Sequence, residues 1–526
     1  MIIIWIILIL IITGLAAWYS GKFNENLPRW ISLIGLLIDF ILVLVFWLSE
    51  PITINLTSND NWLVRFNSEW IPQFGISLNF ALDGLSLILV VLTIFLGILS
   101  VLTSWTEIKD RIGFFHFNLL WILAGIVGVF TSLDLFLFYF FWELMLVPMY
   151  FLIGIWGHEK RIYAAYKFFI FTQASGLLML LSILGLYFIH GNQTGIYTFN
   201  YFELLLTQLP SGMEWLLMFG FLIAFAVKLP LVPVHNWLPD AHTQAPTAGS
   251  VILAGLLLKT GAYGLLRFVL PLFPNVSIEF APYAMFLGVI GILYGAKLAF
   301  AQNDFKRLVA YSSVNHMGFV MLGVYSFNVL AYQGAVFEMI THAISTSALF
   351  IIVGLLSDRL HTRNLDEMGG LWEQVPKMGG IAMVFVMASL GLPGLGNFIA
   401  EFLVLAGSFQ ASVLWSVLGS LGLIASAIYA LRIMQKVWHE RKAKEWKIKD
   451  YIPRELIILG SLILVIVWLG LFPQKIFSTI SSSINSIHER INDAKILLIN
   501  NSIKTEIITN SSVNNEINTN QQKDDK

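Results

Sequence analysis

The sequence predicts an all-α polytopic membrane protein of about fourteen transmembrane helices, with two inverted five-helix repeats and breaks in helices 7 and 12. Three observations lead there. The 526 residues are 57% hydrophobic and only 12% charged, with a mean hydropathy of +0.77, whereas a soluble chain carries about 25% charged residues. Apolar runs of about twenty residues, the length that crosses a bilayer as a helix, recur along the chain. Two of these runs are interrupted, at KLPLVP (Lys228–Pro233) and at SLGLPGLGNFIAEF (Ser389–Phe402). Proline removes a helical hydrogen bond and clashes with the preceding turn, and irregular backbone is tolerated at membrane depth only inside protein or beside a wet cavity.

Composition also excludes chemistry. The formal net charge of −1 offers no general attraction for nucleic acid, and there is no cysteine. Disulfides, cysteine-held iron–sulfur clusters and cysteine zinc sites are therefore absent from this chain. No Gly-rich nucleotide loop occurs in a polar setting. Any redox cofactors must sit on other subunits.

The predicted spans are 2–19, 30–49, 82–104, 113–131, 134–156, 165–190, 213–237, 244–270, 280–301, 306–326, 331–357, 377–408, 412–438 and 453–473. The first lacks a basic leader and reads as a helix, not a cleaved signal. Alternate loops hold the basic residues: Lys22 and Arg29, Lys109 and Arg111, Lys160 and Arg161, Lys306 and Arg307, Arg359, Arg363 and Lys377, then the run from Lys436 to Arg454. That alternation places both termini on the periplasmic side. ITINL and GISLNF, in the loop Glu50–Ala81, alternate with period two and predict a short outer hairpin.

The expected units are 1–112 (helices 1–3 and the outer loop), 113–270 (first repeat), 280–438 (second, inverted repeat), 439–475 (basic loop and helix 14) and 476–526 (polar, disordered tail). The interrupted spans lie five apart, an odd offset that reverses orientation, and paired breaks in inverted halves mark a transport site.

Ionisable residues inside apolar runs carry the functional expectation, since a lone charge there costs about 2.5–3.5 kcal/mol on insertion scales. Glu143 lies in FYFFWELMLVPMYF, Lys228 immediately before Pro230 and Pro233, Lys259 in AGLLLKTGAYG, and Glu401 after the second break. Glu143 and Lys228 are the natural partners, with a static ion pair as the competing reading. Lys167 and Lys297, near span ends, read as snorkelling. For Glu401 the bland alternative is a charge at a helix N-terminus. His316 and His342 titrate near neutral pH and suit a proton relay, or equally a hydrogen-bonded core. Glu338 and His342, four apart, share a helix face. His235, His242 and Asp240 shape a loop or a proton entrance. No ligand spacing argues for metal, and Asp39 has no evident role.

HNWLPDAHTQAPTAGSVILAGLLLKTGAYGLLR, preceded by KLPLVPVHNW and followed by NDFKRLVAYSSVNHMGF, resembles the antiporter-like subunits of proton-pumping NADH:quinone oxidoreductase (respiratory complex I). FWELMLVPMY, LDEMGGLW and GLPGLGNFIAEF are similar to the M, or chain-4, type, in which Glu401 stands where the L- and N-type subunits are expected to have lysine. The resemblance implies that Glu143 and Lys228 form a coupling pair, Lys259 a central carrier and Glu401 a terminal one, linked by His316 and His342. It further implies L-type and N-type neighbours, a bacterial inner membrane, and a complex using NADH, FMN, iron–sulfur clusters and quinone, none held on this chain. A cation/proton antiporter subunit and a membrane subunit of a related hydrogenase are the alternatives. Glu338 and the long polar tail have no counterpart in that pattern.

Overall fold

The computed structural model describes residues 1–49, 62–442 and 444–524. Twelve helices among the described residues are long and apolar enough to cross a membrane: Ile2–Ser20, Leu27–Ser49, Gly84–Glu107, Ile112–Thr131, Leu135–Trp156, Arg161–Thr194, Ser211–Lys228, Thr247–Leu272, Pro274–Phe300, Val329–Leu360, Val413–His439 and Pro453–Leu471. Two further expected spans take other forms. Residues 306–326 fall on helix Phe305–Val324, which Ser312, Ser313, Asn315 and His316 make less apolar than its neighbours. Residues 377–408 are split between Pro376–Ser389 and Gly396–Ala411.

The helix that carries Lys259 is the most enclosed, buried along its whole apolar stretch, whereas Ile2–Ser20 buries only a third of its own. Lipid is as apolar as leucine, so helices in a bilayer associate through close packing and small residues. Gly318 is one such contact: a Cβ there would lie 2.6 Å from the Gly288 carbonyl oxygen, pressing Phe305–Val324 against Pro274–Phe300.

The outer hairpin forms, with one of its two strands as the alternation suggested. Val64–Ile71 pairs antiparallel with Ile76–Leu82, so GISLNF supplies its second strand. ITINL lies outside the described residues. Asp134 fixes the hairpin to the membrane part. One oxygen caps the following helix, accepting the Phe136 and Leu137 N–H groups at 3.0 Å each, and the other takes the Ser77 N–H at 2.9 Å.

The expectation of a disordered tail from residue 476 is corrected. Residues Gln474–Asp524 form one helix. Ile476, Ile480, Ile484, Ile487 and Ile491 recur every three or four positions and are buried, the spacing of one helix face. Trp47 donates its indole N–H to Thr479 Oγ1 at 3.0 Å. Arg490 donates to the carbonyls of Leu205 and Pro271 at 2.6 and 3.2 Å, and Lys495 lies 5.0 Å from the Phe327 ring centroid. The helix therefore lies across span ends that come before and after Phe273. Lys167, expected to snorkel, has its partly exposed ammonium bonded to Asp240 at 2.6 Å.

Candidate functional site

Both predicted breaks are present. Helix Ser211–Lys228 ends on Lys228 itself, and the chain turns before the short helix Trp237–Gln244. Trp237 donates its indole N–H to the freed Val227 carbonyl at 2.9 Å, satisfying a helix-end acceptor that would otherwise be stranded. A cation at a helix C-terminus is also favoured by the backbone dipole.

The Lys228 ammonium has no hydrogen-bond partner among the described residues. It lies 5.2 Å from the Trp142 ring centroid and 5.5 Å from that of Phe168. Its charge interacts with Glu143, which is half-buried and approached by Tyr139 and Gln173. The two expected partners thus share a neighbourhood without a direct ion pair. Glu143 Oε1 faces Gly176, where a Cβ would come within 2.8 Å.

Gly261 brings the first break against the Lys259 helix. A Cβ at that position would meet Phe225 O at 2.7 Å, Leu229 N at 2.9 Å and Lys228 Cβ at 3.1 Å. Two of those atoms are backbone and cannot swing aside, so Gly261→Ala should destabilise the protein by about 1–3 kcal/mol. Thermal inactivation of the assembled complex measures this; an unchanged inactivation temperature would refute the tight contact.

The Lys259 helix is not regular. Wide turns at Leu253–Leu257 and Leu265–Val269 flank the segment Leu258–Gly264, with the Leu258 N–H bonded to the carbonyl of Leu253, five residues back. Such π-turns recur at functional positions. Here Lys259 Nζ donates to Ala254 O at 2.5 Å and to His342 Nδ1 at 2.7 Å.

Beyond His342 the contacts continue. Its ring centroid lies 5.3 Å from that of His316. His316 Nδ1 is 3.1 Å from Glu401 Oε1 and 3.1 Å from Glu338 Oε1. On its other side, His316 Nε2 lies 3.3 Å from Ser389 Oγ and 3.4 Å from Tyr429 Oη. Lys259, His316, Glu338, His342 and Glu401 are all at most 1% exposed. Glu401 is no helix-end charge: its helix begins at Gly396 and its side chain turns inward. Gly391, at φ 78°, makes room for it, since a Cβ there would lie 2.8 Å from Glu401 Oε2. The atoms of His316, Glu338 and Glu401 lie within 4.8 Å of one another, a spacing that a metal ion would also tolerate. The imidazole nitrogen lies between the two carboxylates as a close ionic contact to each, although His316 Nδ1, Glu338 Oε1 and Glu401 Oε1 make no aligned hydrogen bond among the described residues.

A second charged cluster has no local signature in the sequence, because its members sit at span ends. Two clefts of about 880 and 770 Å³ share Glu107, Lys109, His158 and Asp358 in their walls. Glu107 Oε1 accepts the Thr247 N–H at 2.9 Å, and the buried Lys306, whose charge it feels, donates to Ala245 O at 2.6 Å. Burial, with Lys306 and Arg363 nearby, pushes the His158 imidazole down to about 4, so it is neutral at pH 7. His242 lies between this cluster and the site, feeling the charges of both Lys306 and Lys259, with its ring stacked 4.6 Å from Phe350. His235 sits apart, beside Tyr294 and Tyr311. Asp39 is buried and has no hydrogen-bond partner among the described residues; nothing in the structure explains it.

Comparison with known proteins accords with this arrangement. Residues 132–428 match the family described as "NADH:quinone oxidoreductase/Mrp antiporter, TM". NADH-quinone oxidoreductase subunit M of Pseudomonas aeruginosa is 53% identical over 93% of this chain and 98% of its own length. The same-named protein of Escherichia coli K12 is 53% identical over 92% of this chain and 97% of its own. A chain of respiratory complex I from Thermus thermophilus superposes with a TM-score of 0.84 at 30% identity, covering 93% of this chain and 100% of that one. A chain of the Mrp complex from Dietzia shares the fold, with a TM-score of 0.78 at 18% identity over 93% of this chain and 98% of that one. The chain therefore belongs to the NADH-quinone oxidoreductase subunit M family, the proton-translocating, antiporter-like membrane subunits of complex I.

Proposed function

We propose that protons cross this subunit along a buried line comprising Glu143, Lys228, Lys259, His342, His316 and Glu401. The observation that carries the reading is the close succession from Lys259 through His342 and His316 to Glu401, with contacts of 2.7 and 3.1 Å at its ends and, between them, two imidazoles tilted at 60° with centroids 5.3 Å apart. The clefts beside Glu107, His158 and Asp358 serve as the entrance, with His242 between them and Lys259.

Oxidation of NADH and reduction of quinone take place on other subunits, which hold the FMN and iron–sulfur clusters; the absence of cysteine here supports that division. Energy from that reaction reaches this chain as a change of charge near Glu143. The change alters how firmly Lys228 keeps its proton, and the disturbance passes to Lys259. An opposite charge at close range is worth about 1–4 kcal/mol on a protonation equilibrium, enough to gate one proton. The subunit sits between L-type and N-type neighbours in a bacterial inner membrane, with fourteen spans, two inverted repeats and both termini in the periplasm. The alternation of basic loops supports that orientation.

The test is NADH-driven acidification of sealed inverted vesicles, comparing wild type with Lys228→Ala in the assembled complex. Electron transfer and subunit content are recorded on the same membranes. Pumping per NADH is expected to fall with assembly intact. Normal pumping at a normal electron-transfer rate would remove Lys228 from the path and leave it a structural residue.

A further inference from the structure

Glu338 is the one fully buried carboxylate in this region without a place in the path above. It faces His316 from Phe305–Val324, Glu401 from Gly396–Ala411 and the charge of Lys259 from Thr247–Leu272. On its own helix Thr341 donates to its Oε2 at 3.4 Å, and His342 lies one turn further on. Ser389 and Tyr429 approach only the far nitrogen of His316. Glu338 and Glu401 meet the same imidazole nitrogen at the same distance, 3.1 Å.

That geometry has a chemical consequence. Nδ1 carries at most one N–H, so it cannot donate fully to both carboxylates at once. Two carboxylates sharing a buried site resist ionising together without protons between them. The three groups hence form a unit in which a proton resides on Nδ1 or on either carboxyl group.

We propose that Glu338 is a second proton-carrying residue of this subunit, exchanging a proton with Glu401 through His316 Nδ1. The inference rests on the proton path proposed above and adds a branch to it. In each transfer the Nδ1–H bond of the imidazolium breaks and an O–H bond forms on Glu338 Oε1 or Glu401 Oε1. The imidazole is left neutral and the acceptor becomes a neutral carboxylic acid; no electrons change hands. Reprotonation of His316 from the Lys259–His342 side restores the starting charge. A proton arriving at His316 thus has two acceptors, and one can be filled while the other discharges.

The experiment compares Glu338→Gln, Glu401→Gln and the double variant in the assembled complex in sealed inverted vesicles. Protons pumped per NADH are recorded, together with the carboxylic C=O bands in an infrared pH titration. Each single variant is expected to lose pumping by up to about tenfold, because the other carboxyl group still accepts, and the double variant by about a hundredfold, the lower end of the range for a positioned proton-transfer group. Glu338→Gln should also lose one titrating C=O band. If Glu338→Gln pumps like wild type and the double variant matches Glu401→Gln alone, the proposal is overturned. A fall in pumping with every band retained overturns it too, and makes Glu338 a positioning residue for His316. Should Glu338→Gln not assemble, Glu338→Asp combined with Glu401→Gln decides: retained pumping supports the carrier role and lost pumping refutes it. Wild-type pumping by the double variant would instead reject the underlying path through His316.

Discussion

Lys259→Met is expected to stop proton transfer through this chain while leaving the complex assembled. The ammonium joins the helix Thr247–Leu272 to the histidines through its 2.7 Å contact with His342. Methionine has a similar length and no proton to give. Removing one positioned proton donor costs about 10²–10⁴-fold in rate. Methionine also leaves the Ala254 carbonyl with one bond fewer, a cost of about 1–3 kcal/mol that the packed helix can absorb. Acidification per NADH oxidised, measured on vesicles with verified subunit content, reads the effect. A pumping ratio equal to wild type would show that protons bypass this residue.

Arg267→Met should cause the largest loss of stability. Arg267 and Asp83 form a buried, directly bonded pair whose side chains are 6% and 2% exposed. The arginine also donates to Tyr263 Oη at 3.3 Å and lies 4.8 Å from the Trp62 ring centroid, while Tyr263 donates to Phe130 O at 3.0 Å. Asp83 in turn accepts the Ser86 N–H at 2.9 Å as the cap of helix Gly84–Glu107. Deleting one partner strands the other charge and costs about 3–5 kcal/mol. Incorporation of the subunit into the complex is therefore expected to collapse. Arg267→Met with Asp83→Leu should recover much of the loss, because replacing both members of a buried pair by apolar groups is often neutral. Equal incorporation of Arg267→Met and wild type would refute the assignment.

The parts of this site legible in the sequence are those with a local physical signature. Pro230, Pro233 and Gly391 announce the breaks because they alter the backbone where they stand. Lys228, Lys259 and Glu401 stand out because an ionisable group amid apolar residues is costly anywhere in a bilayer. What was not legible depends on packing between distant segments. The contact of Lys259 with His342 joins residues 83 positions apart, and that of Glu401 with His316 is equally non-local. The π-turns around Lys259 have no proline to mark them; the tight spot at Gly261 was visible only as a small residue. Glu107, Lys306 and Asp358 lie where spans meet loops, where a charge costs little, so nothing local marks them as a group and only the fold gathers them. In the C-terminal helix, abundant Asn and Ser lowered the average apolarity and hid the three-to-four spacing of its isoleucines. A moving average erased what a periodic reading would have kept.

That C-terminal helix also limits how the molecule can work. Arg490 is bonded to Leu205 and Pro271, on the N-terminal side of Phe273, while Lys495 rests on Phe327 beyond it. A rocker-switch carrier must part its two halves at each face in turn. A continuous rod fastened to both halves forbids such a gap on its own face. The proton passage proposed above is thus one within a nearly rigid scaffold, by rearrangement of side chains and water, with electrostatic gating in place of alternate opening of a cleft.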